Sequence, residues 1–427
     1  MNAWAALPLE ARLGLLALLG AVVGGFVNLA TYSLAWTPRH CSPWSSAPQG
    51  ACRRTWADRV PIAGWIRMRR EANVHGRGFW VRPLLVELLM AGAFAALYWW
   101  EVHRLAILPI SADGPAMHFG ANAVWAAHAA VAAQLVLLAL MMAASLIDTD
   151  ERVIPDLITV PGTLLGLLLA ACCPWSLLPA EVWRDAGGVL LSDFLRPSSP
   201  EPWPAEFAAA PNVNSLAIAL GCWCGWCFAL LPRRFVLRRG WRKGWQMFLG
   251  RLRRDSSTWV IVVLGAIGAA AIGVAWRFAG PAHWAGLLTS LIGAAAGGGL
   301  VWVVRLVGTA ALRREAMGFG DVTLMAMIGA FVGWQPSLII FFLAPFAGLL
   351  VGALQWIARR DQEIPYGPFL CLATAFAVVR WSDLWQWGAG VFSLGWLIPA
   401  IVACCMAAMG VLLGLWRLVR DTLLRAS

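Results

Sequence analysis

Charge is what this sequence has least of. Only 13% of its 427 residues are Asp, Glu, Lys or Arg, while 60% are hydrophobic; an ordinary soluble domain carries about 25% charged and about 45–50% apolar residues. The balance excludes a soluble globular protein and predicts one built into a membrane. Paired histidines are also lacking: none of the six stands in an H-E-x-x-H spacing, so a zinc-protease helix has no support. No G-x-S-x-G turn presents a serine nucleophile, and no period of roughly 20–50 residues marks a repeat array. The N-terminal apolar run has neither a basic lead-in nor a clear small-residue cleavage site, so a removable signal peptide is not expected.

Ten cysteines are present, but Cys172, Cys173, Cys222, Cys224, Cys227, Cys371, Cys404 and Cys405 lie within or beside apolar runs. They read as small hydrophobes, not as a disulfide framework. Cys222, Cys224 and Cys227 have superficially metal-like spacing, yet they share their run with Trp223 and Trp226, which favours packing. The formal charge of +11 does not imply a nucleic-acid partner, because the basic residues bunch between apolar runs, as they do in cytoplasmic loops.

A spanning helix takes about 20 mostly apolar residues. Such runs fall near 13–36, 83–100, 123–147, 157–178, 214–232, 257–279, 284–306, 322–334, 336–357, 367–380 and 391–416. Of these, 322–334 and 367–380 are short for a bilayer unless they extend or tilt. The expected fold is an all-α, polytopic transmembrane helix bundle with about nine to eleven membrane segments and a small cytoplasmic loop domain.

Segment 37–82 carries nine arginines against Asp58 and Glu71, which places it in the cytoplasm. Alternating the helices from there brings Asp148, the basic stretch 233–254, residues 318–321, Arg359, Arg360, Arg417, Arg420 and Arg425 to the same side. Segments 101–122 and 179–213 fall outside, the latter as an irregular Pro/Ser-rich insert. The expected organisation is a first transmembrane helix (1–36), the basic loop domain (37–82) and helices carrying Asp148 (83–178). An insert with an extra helix and a basic segment (179–256) and the helices carrying Asp321 (257–427) complete it. The glycine run GAAAGGGL at 293–300 is expected to let helices approach closely, not to cradle phosphate.

Acids are costly inside a bilayer, so those at helix ends are the place to look for function. In LIDTDERVIPD, 146–156, Asp148 is the first acid met on leaving the membrane, and both a solvated helix end and a functional acid stay open for it. Asp150 and Glu151 read as a solvated helix end, and Asp156, after Pro155, as a helix cap. In MGFGD, 317–321, Gly318 and Gly320 allow a tight turn and close approach by another chain segment, although Asp321 alone would also serve as an N-cap.

Together LIDTDERVIPD and MGFGD resemble the type IV prepilin peptidase family, which belongs with the GxGD-type membrane aspartyl proteases. GAVVGGFVNLATYSL (20–34), DRVPIAGWI (58–66), RPLLVELLMAGAF (82–94) and EIPYGPFL (363–370) are similar to further segments of that family, in the family's order. Segment 179–256 and the C-terminal helix have no clear counterpart. The resemblance implies Asp148 and Asp321 as the catalytic pair, with Gly318, Gly320, Pro155 and Asp156 as supporting motif positions. One carboxyl would be ionised to activate water and the other protonated to polarise the scissile carbonyl. Asp321 opens a helix and Asp148 ends one, so the helix dipole favours Asp321 as the resting base.

The implied substrates are prepilin or pseudopilin precursors, cut behind a basic leader at the cytoplasmic face of the inner membrane. Proteolysis implies no cofactor. The family's methylation of the new N-terminus implies S-adenosylmethionine, with Asn28 surviving from its signature. Many members carry two Cys-x-x-Cys pairs suited to tetrahedral zinc; this loop offers Cys41 and Cys52, with His40 and His75, so zinc is not expected. Ala316 and the pair Val322-Thr323 also depart from the family pattern. Two rival readings are a transporter relaying protons through buried acids, which leaves the ordered motifs unexplained, and a pilin-binding homologue without catalysis, against which both aspartates argue.

Overall fold

The computed structural model describes residues 4, 6–48, 50–109, 121–184, 190–200, 211–231, 256–313, 315, 317–358 and 365–426. The basic stretch 233–254, Arg359, Arg360, Ala316, Ile364 and much of the segments 101–122 and 179–213 lie outside them.

Each apolar run seen in the sequence carries a helix. α1 (Leu9–Ser33) and α2 (Val81–Tyr98) pair through Gly20 and Gly24, where an added methyl would stand 2.5 Å from the Met90 carbonyl oxygen and 2.8 Å from the Glu87 Cα. α3 (Ala121–Glu151) breaks into α4 (Asp156–Cys172) through Arg152, whose φ of 57° is left-handed, and Pro155. α5 (Val213–Leu230), α6 (Ser256–Phe278), α7 (Pro281–Leu312), α8 (Phe319–Val332), α9 (Trp334–Ala358) and α10 (Gly367–Val379) follow. α11 (Trp381–Phe392), which the apolar runs did not reveal, and α12 (Leu397–Ala426) close the chain. Among the described residues, 7 helices are long and apolar enough to cross a membrane, and α4, α8, α10 and the first part of α9 are shorter apolar helices. The protein is an all-α polytopic bundle, as expected.

α8 is the axis of the bundle. All its residues from Asp321 to Val332 are buried, as a helix that is apolar all round must be in a large protein. Its 14 residues span about 21 Å, short of a bilayer core of about 30 Å, and it is enclosed by other helices. Glycines make the enclosure possible. On α7, a methyl at Gly297 would stand 2.7 Å from the Met325 carbonyl oxygen, and one at Gly293 would collide with that of Gly329. On α4, a methyl at Gly166 would stand 2.9 Å from the Phe331 ring. The glycine run at 293–300 therefore serves close helix approach. α5, α6 and α7 form a second cluster in which Trp223, Trp226 and Cys227 are buried, so Cys227 packs as a hydrophobe.

The insert is more regular than its composition suggests. β1 (Pro179–Arg184) and β2 (Leu190–Phe194) form an antiparallel hairpin, with Val182 opposite Ser192 and Trp183 opposite Leu191. The indoles of Trp381 and Trp385 donate to the carbonyls of Pro179 and Ala180 at 2.7 and 2.6 Å, and Gln335 donates to that of Arg196 at 2.8 Å. Backbone acceptors left outside a helix are thus satisfied by donors from α9 and α11.

The loop between α1 and α2 is held by two buried carboxylates. Glu71 takes the Arg54 guanidinium at 2.8 Å, and Arg54 also donates to the carbonyls of Ser42 and His40 at 2.7 and 2.9 Å. Asp58 accepts the Thr55 N–H at 2.7 Å and pairs with Arg70 at 2.5 Å and Arg67 at 3.2 Å. Burial pushes the Asp58 carboxyl up, but these bonds outweigh it and hold the group at about 2.

Candidate active site

Asp148 stands in the last turn of α3, and Asp321 is the third residue of α8. Both are buried, at 5% and 8% exposure, and Asp321 lies within electrostatic reach of Asp148. α10 completes the site: the Gly367 N–H donates to Asp148 Oδ2 at 3.1 Å. Gly318, the N-cap of α8, donates its N–H to the Asp321 carboxylate. Each acid thus has one backbone donor orienting it. Tyr366 lies within electrostatic reach of Asp321, and Cys371 of both aspartates.

Ile154 links the three segments. A methyl at Gly320 would stand 2.9 Å from the Ile154 Cβ, and one at Gly367 would stand 3.0 Å from the Ile154 Cδ1 and 2.5 Å from Asp148 Oδ2. Neither glycine has a positive φ, so close approach, not turn geometry, is why each position is glycine. Pro155 ends the same connection, preceding α4. Of the supporting positions, Gly318 bonds Asp321 directly, and Gly320 and Pro155 lie beside Ile154, but Asp156 is not a cap. It is the first residue of α4, and its carboxylate is hydrogen-bonded by the Thr323 side chain.

Asp150 and Glu151 are not a free solvated end either. Arg82 grips Asp150 with bonds of 2.7 and 2.9 Å and reaches the Leu146 carbonyl at 3.4 Å. Glu151 accepts the Thr37 N–H at 3.1 Å, the Thr37 hydroxyl at 2.7 Å and the Trp36 N–H. These acids latch the basic loop onto the helix end that carries Asp148.

A further buried acid, not singled out by any motif, lies in α2. Glu87, 3% exposed within α2, accepts the Trp65 indole N–H at 2.7 Å and the Ile62 N–H. Asn28 bonds it as well and donates to the Pro83 carbonyl at 2.9 Å. Segments 20–34, 58–66 and 82–94 thus converge on one carboxylate. The available signal was an acid inside an apolar run. In the loop, Cys41 Sγ lies 3.4 Å from His75 Nδ1, but the Arg54 cation lies 3.4 Å from the same ring's Nε2 and Cys52 is exposed. Among the described residues no group of three or more His, Cys, Asp or Glu suits a metal ion.

Two family models match. That of the type IV leader peptidase family covers residues 253–353, and that of the bacterial peptidase A24 N-terminal domain covers 18–101. Asp321 falls within the first, Asn28 and Glu87 within the second, and Asp148 between them. The chain is similar to the prepilin leader peptidase/N-methyltransferase of Aeromonas hydrophila, 30% identical over 158 residues, 34% of this chain and 53% of the relative. The protein of that name from Pseudomonas aeruginosa is 27% identical over 190 residues, 39% of this chain and 64% of the relative. That from Legionella pneumophila is 34% identical over 80 residues, 18% of this chain and 28% of the relative. The chain spans about half the length of the curated relatives it matches. No solved structure gives a significant match.

Proposed function

We propose that this chain, whose two matched segments are those of type IV leader peptidases, is a membrane-embedded aspartyl endopeptidase. Its substrates would be prepilin or pseudopilin precursors, cut behind their basic leader at the cytoplasmic face of the inner membrane. The observation that carries this reading is the meeting of Asp148 and Asp321, delivered by distant parts of the chain to one buried position. The side is supported by the basic loop, whose Arg82 and Thr37 bind the helix end bearing Asp148.

Two carboxyls so placed share one proton. The ionised member takes a proton from the attacking water as its oxygen bonds to the scissile carbonyl carbon, while the protonated member donates to the carbonyl oxygen. The tetrahedral intermediate then collapses, and a proton passes to the leaving nitrogen as the C–N bond breaks. Asp321, near the N-terminus of α8, is the resting base in this scheme, since the helix dipole favours charge there. Gly318 and Gly367 orient the two carboxyls through their N–H groups.

The relatives' name also includes N-methyltransferase. Asn28 offers little to S-adenosylmethionine: it is 2% exposed, with its carboxamide bonded to Pro83 and Glu87. We derive no methyl-transfer step from these residues.

The test is co-expression with cognate prepilins or pseudopilins, reading leader removal as a gel shift and the product N-terminus by mass spectrometry. Wild type should cleave, and Asp148→Ala and Asp321→Ala should each leave the precursor intact. Cleavage surviving in either variant refutes the dyad. A wild-type chain that leaves every cognate precursor uncut refutes the protease reading.

A further inference from the structure

The loop between α1 and α2 lays an aromatic cluster against the membrane-facing side of α1. Phe26, 54% exposed on α1, stacks on Trp44 of the loop with ring centroids 6.1 Å apart and planes 20° apart. Phe26 lies seven residues before the end of α1, about 10 Å along the axis, so the loop folds back alongside the helix. There the Arg59 guanidinium lies over the rings of Trp44 and Trp56, 5.2 and 4.5 Å from their centroids. Trp56 is 76% exposed, and Val60 and Ile66 are exposed beside it.

Arg59 differs from four nearby arginines in its charge partners, and from Arg69, which lies over the ring of Trp80 alone, in facing two indoles. Arg54, Arg67, Arg70 and Arg82 each pair with a carboxylate. The adjacent carboxylate of Asp58 is fully buried and taken by Arg67 and Arg70. Arg59 forms no ion pair among the described residues, and its Nε is buried without a hydrogen-bond partner. A cation held between two indoles, at the depth where a helix leaves the hydrocarbon, complements a phosphate, and indoles favour that interface.

We propose that Trp44, Arg59 and Trp56 form a binding site for the phosphate of an anionic phospholipid headgroup in the leaflet beside the loop. The basic leader of the proposed substrate has the wrong sign for this cluster, and Phe26 makes the site continuous with the lipid-facing surface of α1. The site does not depend on the protease reading.

Hydrogen exchange of the full chain in nanodiscs tests it. Peptides covering 55–66 should exchange roughly tenfold more slowly in phosphatidylcholine mixed with phosphatidylglycerol than in phosphatidylcholine alone, the protection expected when ligand exceeds its Kd about tenfold. Arg59→Gln and Trp56→Ala should each erase that difference, with exchange in the membrane helices unchanged as the check on folding. Arg53→Gln, at an exposed neighbour, should preserve it. Inorganic phosphate added to phosphatidylcholine discs should not reproduce it. Equal exchange in the two lipids overturns the proposal, as does loss of the difference in Arg53→Gln, which would mean diffuse basic attraction. Equal slowing by inorganic phosphate also overturns it, because the ligand would then not be a lipid.

Discussion

Replacing Gly367 by Ala isolates how Asp148 is held. The substitution is conformationally undemanding: Gly367 opens α10 without a positive φ, and alanine is the better helix former by about 1 kcal/mol. Space alone opposes it. The new methyl would stand 2.5 Å from Asp148 Oδ2 and 3.2 Å from its Cγ. The carboxyl must swing away and give up the N–H bond now made at 3.1 Å. Asp148 carries the proton in the proposed scheme, and a hydrogen bond to a neutral group contributes about 0.5–1.5 kcal/mol, which at about 1.4 kcal/mol per factor of ten is a loss of roughly 2–12-fold in kcat/KM. The assay is prepilin cleavage in isolated membranes, normalised to enzyme level by immunoblot. Gly92→Ala, where an added methyl meets nothing within 4 Å, serves as the control. Wild-type cleavage by Gly367→Ala would refute the claim that α10 positions the acid.

Gly293→Ala should lower thermal stability in detergent by about 1–3 kcal/mol or more, because its methyl collides with the Gly329 carbonyl oxygen; an unchanged Tm would show the contact can relax. Arg82→Ala should reduce cleavage only several-fold, since the Arg82–Asp150 pair is partly exposed and such pairs are worth about 0.2–1 kcal/mol. Recovery in Arg82→Lys, read as kcat against KM, tests whether the charge matters. Arg54→Ala should make the loop sensitive to limited proteolysis at neutral pH, because it leaves the fully buried Glu71 carboxylate, among the described residues, with only His75 Nε2 at 3.3 Å, a loss of about 3–5 kcal/mol. Asp58, held at about 2, should stabilise the loop fully above about pH 4, the ordinary carboxylate range. That contribution should fade as pH falls toward 2. The difference in pepsin resistance between wild type and Asp58→Asn should therefore shrink over that window, and a constant difference would contradict the assignment.

The helices were legible because a stretch of about 20 apolar residues has few alternatives in a bilayer. α11 was hidden because WSDLWQWGAGVF mixes polar groups with the buried Trp381 and Trp385, a helix lying in no purely apolar run. The hairpin was hidden because its strands of 6 and 5 residues are shorter than any composition window. Both aspartates could be read from their motifs. The grip of Gly367 on Asp148 could not, since it spans 219 positions of sequence. The partners of Asp150 and Glu151 are not legible, because a sequence shows an acid without its partner, and Arg82 and Thr37 lie in another segment.

The glycine collar around α8 also decides where the chain is free to change. A helix whose backbone meets Gly293 and Gly297 on one side and whose Ala330 and Phe331 side chains meet Gly166 on another has little room to gain a methylene without a matching loss on a neighbour. Drift along α8 must therefore be concerted or absent. α5 and α6 meet the bundle in a cluster with α4, α7 and Ala326 of α8, and most of α6 faces away from the protein. The hairpin and α5 lie outside both matched segments, as does Asp148, whereas α6 lies within one of them. Substitution is therefore least constrained on the outward face of α6 and most constrained along α8, the axis that carries Asp321.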